Sequence, residues 1–260
     1  MQMKKYVFIM AAAMTMTAVL TGCGTKQISG DWIFTEAEIN GTKVEIPSDT
    51  YASFSADITG KNEYAVYGKA GVNRYNGTAK TEGGTFSAQV DAMTMMGADT
   101  AHSMFERNFL EILSGAEKAA VSKENTLVLT GGKKDGGSFK AVFSRVTLNG
   151  TSWTTRLLNT GNAVVTAAGE NPPTITIGDG KAKGFSGVNS WSCTMQLSEK
   201  DRTISFENIA STKMAGPKEL MTQEMTFFKL LENVTSYRIS GPELTLLDGD
   251  RTLVVLYLAD

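Results

Sequence analysis

Histidine occurs once in the 260 residues, at His102, and cysteine twice, at Cys23 and Cys193. One histidine removes zinc sites built on several histidines. It would still allow a Ser-His-Asp triad, but there is no Gly-x-Ser-x-Gly turn to carry the nucleophile, and no Gly-x-x-x-x-Gly-Lys-Ser/Thr phosphate loop. No catalytic residue, metal-ligand set or cofactor motif is therefore assigned. A charge excess is missing too. Lys and Arg number 25 against 27 Asp and Glu, a net charge of −2, which gives no basic field to gather phosphates and argues against nucleic acid as a partner. Nor is there an apolar run long enough to span a bilayer: Tyr6 to Leu20 offers about 15 residues where a helix needs roughly 20. What remains, 42% hydrophobic and 20% charged residues, is the composition of a chain that buries a core.

The first 22 residues read as a leader. Lys4 and Lys5 precede the apolar stretch, and Leu20-Thr21-Gly22-Cys23 closes it. That tetrapeptide resembles the lipobox of bacterial lipoproteins, in which the cysteine thiol receives diacylglycerol and becomes the first residue after cleavage. The expectation is a signal peptide over 1–22, lipid attachment at Cys23, and a tether over 23–27. Two or more acyl chains hold a protein on a membrane where one does not. With Gly24 and no acidic run after the cysteine, the sorting rules of lipoproteins favour the outer membrane, periplasmic face. Loss of the leader removes Lys4 and Lys5, which leaves a net charge of −4. With Cys23 committed to lipid, Cys193 has no disulfide partner and reads as a small buried residue.

The remainder repeats itself. Gly68, Gly71, Val72, Asn73 and Tyr75 match Gly184, Gly187, Val188, Asn189 and Trp191 at an offset of 116; Thr94, Met96, Glu106 and Phe109 match Thr212, Met214, Glu224 and Phe227 at 118. Two domains follow, 28–146 and 148–260. Within each, β-branched and aromatic runs separated by Gly, Asn and Asp clusters predict strands. One helix stripe is expected per copy: Ala101, Met104, Phe105, Phe109, Ile112 and Leu113 after Asp99 as cap and before Gly115 as stop, then Leu220, Met221, Met225, Phe228 and Leu231 after Pro217. The stripes are taken as core. Asn73 and Asn189 read as serving backbone geometry, since Asn tolerates left-handed conformations and caps turns with its side chain, 131–137 as a flexible Gly-rich hairpin loop, and Asp248-Gly249-Asp250 as a turn. His102 is expected at a half-exposed helix entry. The fold expected is mainly β (α+β): two small open antiparallel β-barrel-like domains, each covered by one α-helix.

Leu148-Asn149-Gly150-Thr151-Ser152-Trp153, Gly184 to Asn189 and Thr212-Lys213-Met214-Ala215-Gly216-Pro217 resemble the opening, turn and helix entry of the META (HslJ-like) domain. Many members carry cysteines where Val72 and Val188, and Ala98 and Gly216, stand here. The resemblance implies a non-catalytic envelope lipoprotein that binds a protein, peptide or envelope component, with a connection in some members to heat stress and drug tolerance. Its alternatives are a structural stress-buffering lipoprotein without specific ligand and a small-ligand carrier that uses the barrel mouth.

Overall fold

Residues 27–122, 125–133 and 136–259 are described by the computed structural model. The leader and Cys23 lie outside these residues. The described chain divides into two units at Arg145/Val146. The first contains β1 (Gly30–Ile39), β2 (Thr42–Lys43), β3 (Ser53–Gly60), β4 (Glu63–Ala70), β5 (Asn73–Glu82), β6 (Thr85–Met93), α1 (Thr100–Gly115), β7 (Ala116–Val121), β8 (Thr126–Lys133) and β9 (Gly137–Val146). Its sheet runs β6-β5-β4-β3-β1-β9-β8-β7, with β2 paired to the far half of β1. The second contains β10 (Thr151–Asn159), β11 (Val164–Thr166), β12 (Thr174–Gly178), β13 (Lys181–Phe185), β14 (Ser190–Ser198), β15 (Thr203–Ser211), α2 (Lys218–Leu231), β16 (Ser236–Ser240), β17 (Glu243–Asp248) and β18 (Arg251–Leu258). Element for element the order is the same. Pairing of β10 with β18 and of β15 with β16, the latter through Thr203 and Ser236 alone, closes this sheet on itself. In the first unit no ladder pairing joins β6 to β7 among the described residues, although the two strands lie next to each other.

Period-two patterning places the interior. Along β4, Tyr64, Val66 and Ala70 are buried on one face; along β14, Trp191, Cys193 and Met195 are. Cys193 is free and buried, and burial raises its thiol above the ordinary value. The first interior is filled by aromatic rings in edge contact: Phe34 lies 5.8 Å from Phe105, 5.7 Å from Phe109 and 5.5 Å from Phe143.

The repeated glycine and aromatic form one device. Tyr75 stands directly opposite Gly68, and Trp191 opposite Gly184. Each ring crosses the bare glycine to the next strand, where Tyr75 Oη donates to the Ser53 carbonyl (2.8 Å) and Trp191 Nε1 to that of Thr174 (3.3 Å). A Cβ on Gly68 or Gly184 would sit 2.1 or 2.0 Å from those same carbonyl oxygens. Burial pushes the Tyr75 phenol above its ordinary range, so it stays a donor.

α1 starts at the expected cap, with Asp99 accepting from the His102 amide (3.0 Å), and buries Phe105, Phe109, Ile112 and Leu113. Four such side chains contribute roughly 6–12 kcal/mol of transfer free energy. Met104, placed in the core by the stripe, is instead 50% exposed. The second stripe is displaced further: α2 buries Gln223, Glu224, Phe227, Leu230 and Leu231, leaving Met225 68% exposed and Leu220, Met221 and Phe228 half-buried. The reason is polar. Hydrogen bonds accepted by Glu224 turn a carboxyl side chain inward, away from the face that hydrophobicity alone selects.

Gly131 and Gly132 also depart from the loop reading, since they belong to β8 and pair with β9. A Cβ on Gly131 would lie 2.1 Å from the Gly115 carbonyl, so glycine is required where α1 passes into β7. Lys134 and Asp135 lie outside the described residues.

Candidate functional site

Asn73 and Asn189 do not take left-handed backbone; that role falls to Gly71 (φ 64°) and Gly187 (φ 107°) just before them. Their side chains instead clamp the loop that enters the helix. Asn189 Oδ1 accepts from Thr212 Oγ1 (2.7 Å) and the Met214 amide (2.8 Å), while its Nδ2 donates to the Met214 carbonyl (3.3 Å) and to Glu224 Oε1 (2.9 Å). Glu224, 6% exposed, also accepts from the Asn189 amide (3.0 Å) and from Ser186 Oγ. In the first unit Asn73 Oδ1 accepts from Thr94 Oγ1 (2.9 Å) and the Met96 amide (2.7 Å), and Nδ2 donates to the Met96 carbonyl (3.2 Å) and Glu106 Oε2 (2.9 Å). Four residues that recur in the sequence are thus one hydrogen-bonded cluster. Their recurrence showed that both copies need them, and nothing in their spacing showed that they touch.

His102 is clamped on both sides. Nδ1 lies 2.8 Å from Asp99 Oδ2 and Nε2 lies 2.9 Å from Asp49 Oδ1, which ties the loop after Pro47 to the first turn of α1. Hydrogen bonds to Asp99 and Asp49 raise the His102 pKa, and those from the His102 amide and ring lower that of Asp99. A raised histidine pKa stabilises the fold below its unfolded value and loses that contribution as pH rises through the folded one. The lowered Asp99 pKa acts oppositely, with stability lost as pH falls through its folded value. Wild type should therefore exceed His102→Asn in urea midpoint at pH 5.5, with the gap narrowing by pH 8.5.

The exposed surface beside the clamp holds a groove of about 550 Å³ between α1 and the segment that follows β6, bordered by Met93, Met95, Met96, Glu106 and Leu110. The second unit has a smaller cleft of about 390 Å³ bordered by Lys229, Asn233, Asp248 and Arg251. Gly249 between Asp248 and Asp250 is a positive-φ turn residue (φ 56°). Among the described residues no group of three or more His, Cys, Asp or Glu is placed to hold a metal ion, and no helix is long and apolar enough to cross a membrane.

Taken together, the chain is a tandem repeat of curled antiparallel sheets, each carrying one helix docked through an Asn-Glu clamp. The META domain model matches residues 26–142 and again 146–260, and the chain belongs to the META domain family. Two solved structures are similar to it. One, an NMR structure of a protein from Burkholderia xenovorans, is 20% identical, with 43% of this chain and 83% of that one covered and a TM-score of 0.38. Another NMR structure is 24% identical, with 44% and 97% covered and a TM-score of 0.35. No curated protein matches the chain.

Proposed function

We propose that the protein is a non-catalytic lipoprotein of the bacterial envelope, anchored through Cys23 in the outer membrane on its periplasmic side, whose two META domains bind a protein, peptide or envelope component. One observation carries this reading. In each domain one buried asparagine, Asn73 or Asn189, holds the same loop, and each loop presents a methionine to solvent: Met96 is 64% exposed and Met214 60%. Rigid, repeated surfaces suit recognition, and two modules on one anchor gain avidity without new contacts.

In-cell crosslinking with pull-down tests the reading, comparing the full chain with one truncated after Val146. A reproducible partner whose recovery falls on truncation supports it; equal recovery or none overturns it. Anchoring has its own test. Cys23→Ala should abolish palmitate labelling of the protein, and continued labelling would remove the lipobox assignment.

A further inference from the structure

Met93, Met95 and Met96 all border the groove beside α1. None is required by the clamp as a thioether, because Asn73 engages only the main chain of Met96. The second domain is an internal control: the clamp is complete there, yet at the offset of 118 the places of Met93 and Met95 are taken by Ser211 and Lys213. Only Met214 remains. Packing accounts for Met93, which is half-buried against the core, but not for Met95, which is 88% exposed. Meanwhile the backbone beneath them is fixed. Thr94 donates its amide to the Arg74 carbonyl (2.9 Å), accepts the Arg74 amide on Oγ1 (3.0 Å), and Met96 is held at both its amide and its carbonyl.

We propose that Met93, Met95 and Met96 form a binding site for a soft monovalent cation, Cu(I) or Ag(I). Thioethers are uncharged, polarizable ligands that select such ions over Zn²⁺, Ca²⁺ or Mg²⁺, which prefer imidazole, thiolate or carboxylate. Three on a rigid segment, each with a flexible side chain, can close around one ion. Glu106, Glu111 and Arg107 border the same groove and leave it one net negative charge, which favours a cation.

The test uses the purified full chain, with Ag(I) as nitrate and, under anaerobic conditions, Cu(I) in competition with bicinchoninate. One ion should bind saturably and shift the methionine methyl NMR signals of Met93, Met95 and Met96. Replacing all three with leucine should weaken binding by about tenfold or more while leaving the circular-dichroism melt unchanged. Affinity should vary little between pH 5.5 and 7.5, because a thioether has no proton to lose. Three results would overturn the proposal: no saturable binding, undiminished binding in the triple variant, or an affinity that follows the titration of His102.

Discussion

Asn189→Ala should lower the unfolding free energy of the second domain by about 3 kcal/mol, with a fall of about 10 °C in its thermal midpoint. The substitution deletes two donated and two accepted hydrogen bonds at once. It leaves the buried Glu224 carboxyl with the Asn189 amide and Ser186 Oγ but without its third donor, and it frees the Met214 amide from its acceptor. Each buried group stripped of its partner costs about 1–3 kcal/mol, more where charge is involved. Asn73→Ala should cost about half as much. Glu106 is only half-buried, and at the offset of 116 Ala70 stands where Ser186 supplies a hydroxyl, so less is stranded. Combining Asn189→Ala with Glu224→Ala should cost less than the two singles together, since both remove one shared bond. A loss below about 1 kcal/mol for Asn189→Ala would show that the cluster does not hold the helix.

Val188→Cys with Gly216→Cys should produce a disulfide and raise the stability of the oxidised second domain by about 3–4 kcal/mol, the entropy of closing a loop of about 28 residues. A Cβ built on Gly216 lies 3.4 Å from Val188 Cβ, near the separation a disulfide adopts. The same Cβ would meet both Val188 methyls at 2.8 Å, so Gly216→Ala alone should destabilise while the paired change relieves the clash. Gly216 does not have a positive φ, so a side chain is tolerated by its backbone. Thermal midpoints with and without reductant check this. An oxidised form no more stable than the reduced one would refute it. These are the positions where META relatives often carry cysteines; here, valine against glycine fills the space the bridge would occupy.

Local signals carried much of the architecture. Asp99 before a run ending at Gly115 marks α1 without reference to anything distant, and the inward alternation of β4 and β14 is written in every second residue. The duplication itself located Asn189, Thr212, Met214 and Glu224 as a set. Their mutual contact was not legible, because the partners of Asn189 lie 23 to 35 residues further along the chain and meet only after the sheet curls. For the same reason α2 buries a different face from the one its hydrophobic stripe predicts. Periodicity ranks Met225 above Glu224 by hydropathy, whereas three donors in the turn between β13 and β14 reverse that order.

Where each sheet is least sewn together, between β6 and β7 or through the lone rung at Thr203 and Ser236, the intervening chain is the helix. A transient lifting of α1 or α2 would therefore unlatch a ready-made slit, and amide deuteration should enter each domain first along that margin while strands β1, β3, β10 and β12 stay sealed.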